Sequence, residues 1–215
     1  MPSSKTSTIY PIILEPSWFT RPTCVVAADL IGKVLCRQLT DSDGTQKVLR
    51  MRISETEAYI GNADRSVQAH VAKGKEKSEI MYREGGRFYV YLTYGVHHML
   101  NLVSGPIESP ESVLIRAGFL TADSDRLVEE QQLSADKQLT HPKQLAGPGK
   151  LTKRLQIDRD LYGKLIEPQS EVWVEDDGCL PPISLRPRIG IDYAGEAKDW
   201  LLRYIWTDHP SLSKK

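Results

Sequence analysis

The run Phe88-Tyr89-Val90-Tyr91-Leu92-Thr93 is almost wholly aromatic and β-branched, which makes it the strongest strand signal in the chain. His97 to Val103 reads as a second strand beyond the break at Gly95, so Tyr94 falls at or near a hairpin tip. A second hairpin follows from Asp41-Ser42-Asp43-Gly44, a turn of the Asp/Gly type between strands at Lys33 to Thr40 and Gln46 to about Tyr59. Val113 to Ala117 and Glu171 to Glu175 are further strands. Thr23 to Ile31 has helical spacing, with Pro22 tolerated in the first turn and Gly32 suited to the C-terminal cap. Asp123 to Leu133 and Pro148 to Leu155 also read as helices, and the polar stretch Gln132 to Gly149 reads as a long surface loop. These elements lack the regular strand-helix alternation of a doubly wound sheet, so the expected fold is mixed α/β of the α+β kind.

Composition narrows the classes. The 215 residues, 40% hydrophobic and 26% charged, are those of an ordinary globular protein, and no apolar run approaches the ~20 residues of a membrane-spanning helix. Cys24, Cys36 and Cys179 are few, odd in number and far apart, which points to neither a disulfide framework nor a metal cluster. His97 and His98 point to opposite faces of a strand and cannot chelate one metal together. No metal site is expected. The Ser/Thr-containing opening, Met1 to Thr8, lacks the charged start and apolar centre of a secretory signal; it reads as a tail, with a transit peptide left open.

Lys+Arg and Asp+Glu number 28 each, so bulk charge gives no support to nucleic-acid binding. Their distribution is uneven. Arg65, Lys73, Lys75, Lys77, Arg83 and Arg87 outnumber the acids among them, and Lys150, Lys153 and Arg154 sit together, while acids collect at Asp123 to Glu130 and Glu171 to Asp177. A neutral total can thus hide a basic face, although solvated charge runs are an equal reading.

Side chains two apart on a strand share a face, which places Ile53, Glu55, Glu57 and Tyr59 together. Glu57 there can act as a general base on water; a salt-bridged strand glutamate is the plain alternative. The Glu55 and Glu57 pair also permits a glycoside hydrolase, because Cα atoms two apart lie roughly 6.5 Å from each other. Tyr89, Tyr91 and Tyr94 lead to a tight turn, and aromatic groups at such a tip can stack on bases or wedge into a duplex. His70 reads as a loop residue beside Lys73-Gly74-Lys75. Gly147-Pro148-Gly149-Lys150 opens a helix whose free amides can receive a phosphate, without the spacing of a nucleotide P-loop. Arg116 ends an apolar strand, where a structural ion pair is the plain alternative.

Taken together these residues resemble the alkyladenine (3-methyladenine, methylpurine) DNA glycosylase family. The matching pieces are Arg21-Pro22-Thr23, Leu30 to Leu35, Glu55 to Tyr59, Tyr89 to Gly95 with Asn101, Val113 to Ala117, Gly147 to Leu151 and Arg188 to Ile191, in one order along nearly the whole chain. The resemblance implies a single domain with a curved antiparallel sheet, surrounding helices and a protruding hairpin, working as a monomer, without metal or redox cofactor, on double-stranded DNA containing damaged purines. It implies Glu57 as general base, Arg116 as holder of the attacking water, and Tyr59, His70 and Tyr91 as walls around the extruded base. Asn101 then disfavours guanine, Tyr94 fills the space left by the flipped nucleotide, and Gly149 and Lys150 meet the DNA backbone.

The domain expected on this basis spans residues 13–208, with tails at 1–12 and 209–215, inside the cell and with DNA. Lys77-Ser78 and Gly85-Gly86 depart from the family's usual Arg-Asn and Pro-Gly. No lysine has the context of a Schiff-base nucleophile, so strand nicking is not expected. A non-catalytic duplex- or lesion-binding protein is the runner-up reading.

Overall fold

A computed structural model describes residues 11–73, 78–122, 124 and 143–213. Its strands and helices in chain order are β1 (Ile12–Ile13), α1 (Thr23–Asp29), β2 (Val34–Thr40), β3 (Gln46–Ile60), α2 (Arg65–Ala72), β4 (Phe88–Thr93), β5 (His97–Val103), β6 (Glu111–Leu120), β7 (Leu145–Ala146), α3 (Pro148–Arg154), β8 (Val172–Asp176), β9 (Ile183–Arg186) and β10 (Arg203–Trp206). All ten strands join one sheet, and its main path runs β1-β8-β2-β3-β6-β5-β4. Every pairing is antiparallel. The fold is therefore the mixed α/β architecture expected, with an open antiparallel sheet.

β3 organises the sheet. β2 pairs with its first half, Gln46 to Arg52, and β10 takes over the same edge at Glu55 to Glu57, while β6 runs along the other edge from Met51 to Ile60. On β4 and β5 alternate side chains separate two faces. Phe88, Val90, Leu100 and Leu102 enter the main core with Val26 of α1, Leu30 just after it and Leu151 of α3. Each such burial contributes about 1.5–3 kcal/mol. Tyr89 and Val103 enter a second cluster on the opposite face, with Val67 of α2 and partly buried Tyr59 and Tyr91. The aromatic residues that made this strand legible thus serve two surfaces.

Two register shifts break the β3–β6 ladder: Ser54 is the extra residue between Ile53 and Glu55, and Arg116 is the extra residue between Ile115 and Ala117. Bulges of this kind re-aim side chains. Here the shift corrects the expectation that Ile53 shares a face with the two glutamates. Ile53 and Ala58 pack in the main core, and the Thr56 hydroxyl bonds the Ala27 carbonyl of α1, whereas Glu57 and Tyr59 hydrogen-bond to each other on the other face.

A second correction concerns His70, which lies not in a loop but in α2. Asp64 caps that helix by accepting a hydrogen bond from the Ser66 amide at 3.0 Å. The helix expected at Asp123 to Leu133, apart from Ser124, most of the loop expected at Gln132 to Gly149, and Lys77 lie outside the described residues. Near the ends of the described residues, Ile12 pairs with Asp176, Ser211 hydrogen-bonds to Ser54 and Ser213 to Glu55.

Candidate active site

One cross-strand row, Arg203, Glu57, Leu114, Asn101 and Tyr89, runs over five neighbouring strands. Glu57 is wholly buried near its centre. Its Oε2 accepts from the Tyr59 hydroxyl at 2.9 Å and from Arg116 Nη1 at 3.2 Å, and its Oε1 accepts from the Ile189 amide at 2.7 Å. Burying an unpaired carboxylate costs several kcal/mol, and three donors offset most of that. Burial still dominates: it pushes the Glu57 carboxyl above its ordinary value, against the opposing pull of Arg116 and the Ile189 amide.

Glu55 is also wholly buried, and it meets four donors, three of them on Oε1. It accepts from Arg116 Nε at 3.2 Å, Arg203 Nη1 at 3.1 Å, the Ser213 amide at 2.6 Å and the Ser213 hydroxyl at 2.8 Å. Arg116 links the two acids, and although burial opposes its charge, Glu57 and Glu55 hold its guanidinium above the ordinary arginine value. Two carboxylates and two guanidiniums therefore balance, and no net charge is buried in this cluster. The bulge at Arg116 is what aims its side chain across β3 at both glutamates.

The aromatic residues stand beside this charged centre. Tyr91 lies 5.3 Å from Tyr89 and 4.7 Å from His70 between ring centroids. The Tyr89 hydroxyl hydrogen-bonds to His70 Nε2, which fixes the α2 imidazole against β4. Burial, helped by the Lys73 charge, lowers the His70 pKa, so this ring is neutral at physiological pH. Burial raises the Tyr59 hydroxyl well above its ordinary value and pushes Tyr91 up to about 12, so neither becomes an anion there. Buried Asn101 donates through Nδ2 to the Tyr89 and Met99 carbonyls at 3.2 and 3.3 Å.

Tyr94 stands apart from the others. At the β4–β5 tip it is 94% exposed, and both Tyr94 and Gly95 have left-handed backbones, with φ of 51° and 68°. For a non-glycine residue that conformation costs roughly 1–2 kcal/mol with no packing in return. Gly149 of α3 lies against the tip end of the same hairpin, where a Cβ would come within 2.9 Å of the His97 ring. Exposed Lys150 is its neighbour on α3. The structure thus joins Glu57, Arg116 and Tyr59 by direct bonds and clusters Tyr59, His70 and Tyr91. It leaves Tyr94, Gly149 and Lys150 on the hairpin side.

Several residues at the site carried no role in the sequence reading. The buried Arg188 guanidinium bonds Asp64, the Ala58 carbonyl at 3.0 Å and the Ala197 carbonyl at 3.2 Å, and sits 4.8 Å from the centre of the Tyr59 ring. Tyr193, more than half exposed, is within electrostatic reach of Arg188, Asp64 and Tyr94. Arg203 and Ser213 complete the shell of Glu55. The one signal for any of these was the stretch Arg188 to Ile191 noted as similar to a family motif; the rest are long-range contacts without a local pattern.

The methylpurine-DNA glycosylase family matches residues 17–210. A relative from Psychrobacter cryohalolentis is 73% identical over 203 residues, covering 94% of this chain and 96% of its own length. Relatives from Methanocella arvoryzae and Natranaerobius thermophilus are 37% identical over 206 residues and 35% over 202, covering 94% and 93% of this chain and 96% and 98% of their own. All three bear the name "Putative 3-methyladenine DNA glycosylase". A sheet-borne acid beside an aromatic cluster, found together with these likenesses, defines a DNA glycosylase, a hydrolase of the bond between base and sugar. The chain belongs to the methylpurine-DNA glycosylase family.

Proposed function

We propose that this glycosylase rotates alkylated or deaminated purines of the 3-methyladenine, hypoxanthine and ethenoadenine class out of duplex DNA and cleaves their N-glycosidic bond with a water activated by Glu57. The observation that carries the reading is the hydrogen bonding of Glu57. A carboxylate offers about four lone-pair directions. Three are taken by Tyr59, Arg116 and Ile189, which leaves Oε1 one direction in which to accept a proton.

In the reaction, Glu57 takes a proton from water as its oxygen bonds to the anomeric carbon of the deoxyribose. The carbon–nitrogen bond breaks, and its electron pair leaves with the purine. An alkylated cationic purine departs as a neutral base; a neutral lesion needs a proton on departure and leaves more slowly. Positioned general-base catalysis of this kind is worth about 10²–10⁴-fold. Arg116 keeps Glu57 ionised and oriented while positive charge grows on the sugar.

Tyr59, His70 and Tyr91 form the walls around the flipped base. A neutral His70 suits this task, since a charged imidazole would repel a cationic methylpurine, whereas the π faces of tyrosines attract it. Asn101 excludes guanine by its carboxamide, which is held in place by two backbone carbonyls. Tyr94 enters the minor groove and occupies the space the nucleotide vacates; Gly149 and Lys150 hold the backbone alongside. Flipping costs a few kcal/mol and least for a mispaired or damaged base, so the lesion supplies part of the selectivity. The reading includes a monomer acting without strand nicking.

Incubating the protein with duplexes carrying 3-methyladenine, hypoxanthine or ethenoadenine tests this. Release of free base with an intact, alkali-labile strand is the expected outcome. Failure to release any of the three bases overturns the reading.

A further inference from the structure

The segment after β10 reaches back under the sheet and touches both bulges of the site. His209 stacks on Phe119 of β6 at 4.5 Å and hydrogen-bonds through Nδ1 with the Ser211 hydroxyl at 2.7 Å. Ser211 is wholly buried, and its hydroxyl donates to the hydroxyl of Ser54, the extra residue of the β3 bulge, at 2.7 Å. Two residues on, Ser213 donates to Glu55 through its amide and its hydroxyl at 2.6 and 2.8 Å. The same hydroxyl oxygen accepts from Arg116 Nη2 at 3.5 Å, and Arg116 is the extra residue of the β6 bulge.

Each nitrogen of the Arg116 guanidinium therefore has its own partner: Nε has Glu55, Nη1 has Glu57 and Nη2 has Ser213. An arginine held at one or two of these points can rotate about its last bonds; three separate directions fix the plane. The other charged groups in the cluster, Glu55, Glu57 and Arg203, all come from β3 and β10, so the segment supplies no charge of its own. Its contribution is geometry. Ser213 also falls beyond the residues matched by the family, which end at 210.

We infer that residues His209 to Ser213 form a clamp that positions Arg116 against Glu57 for base excision, with Ser213 as the positioning residue. This rests on the glycosylase reading for its activity readout and on the Arg116–Ser213 geometry for its structural one. Ser213 touches neither substrate nor reacting atoms in this account. It acts by keeping Arg116 and Glu55 in register, so its loss weakens the chemical step and spares duplex binding.

The test compares the full chain, a chain ending at Asp208, S213A and S213T. Single-turnover excision from an ethenoadenine duplex, affinity for that duplex, and solvent exchange of the Arg116 Nε–H by ¹⁵N NMR are measured for each. Excision is expected to fall about tenfold or more in the shortened chain and in S213A, because small misplacements of catalytic groups cost that much. Affinity stays within about twofold, Arg116 Nε–H exchanges faster, and S213T, which keeps the hydroxyl, restores both rate and protection. If the shortened chain does not fold, S213A and S213T decide the matter alone. Unchanged excision and exchange in S213A overturn the inference, as does a loss of excision matched by an equal loss of binding with Arg116 exchange unaltered. Should the full chain release no purine, the glycosylase reading fails, while the Arg116 exchange still decides whether the clamp exists.

Discussion

Glu57 and Glu55 sit two residues apart on one strand with opposite provisions. Glu55 is held by two guanidiniums and by Ser213, whereas Glu57 has one guanidinium, a free acceptor direction on Oε1 and a carboxyl raised above 4.5, the ordinary glutamate value, by burial. With Glu57 as the proposed general base, excision requires its anion, so the rate is expected to fall as pH drops through this raised pKa. A single-turnover pH profile should therefore show an acid limb above that of an exposed carboxylate. The same shift has a stability consequence of known sign. Folding favours the protonated form, so the contribution of Glu57 to stability is present in acid and lost as pH rises through its folded pKa. Glu57→Gln should then melt no lower than the native protein at neutral pH, and the two melting curves should converge in acid. Thermal melts across pH check this, and a large neutral-pH destabilisation by Glu57→Gln contradicts it.

Two elements carry the site beyond β3. The strap holding Arg188 and Ile189 is tied to α2 through Asp64, which caps the helix with one oxygen and receives the guanidinium on both. Burial pushes the Asp64 carboxyl up, yet Arg188 and Ser66 outweigh it and hold the group below its ordinary range. Its stabilisation is thus present at neutral pH and lost as pH falls through the folded pKa. Asp64→Asn keeps the cap but breaks the ion pair; denaturant unfolding should report a loss of about 3 kcal/mol, and lesion excision should fall as the Arg188 guanidinium packed on the Tyr59 ring loses its ionic partner. The β4–β5 hairpin behaves in the opposite way. Because Tyr94 is exposed and strained, Tyr94→Gly should change stability by less than about 1 kcal/mol. It should nevertheless weaken binding of a lesion duplex by about tenfold or more, the value of one stacked base. β4 and β5 were legible in the sequence residue for residue, since strand chemistry is local. α2 was not: eight residues with few apolar positions are held by the Asp64 cap and by contacts to Arg188, 124 positions away. The bulges at Ser54 and Arg116 escaped for a similar reason, because a register shift belongs to two strands and leaves no period in either.

At the scale of the molecule, the equal totals of acid and base conceal a division. Charged groups of both signs are consumed in the buried cluster around Glu55, while Lys150 and Lys153 stand exposed on α3 beside the hairpin. Binding to undamaged duplex should accordingly weaken with salt, and Lys150→Ala should reduce the slope of log affinity against log salt by about 1. Titrations at several salt concentrations measure it. What the sequence made legible here was the order of motifs along the chain, from Arg21 to Ile191, which carried the family. What it could not supply was the closure of the site by residues far apart in sequence, such as Arg203 and Ser213 on Glu55. The central claim is that one acid does the work. Single-turnover release of ethenoadenine from duplex DNA by the native protein and by Glu57→Gln tests it most directly. The account predicts that the native protein releases the base while Glu57→Gln binds the same duplex as tightly and releases it at least about 10²-fold more slowly. Excision by Glu57→Gln at the native rate would contradict it.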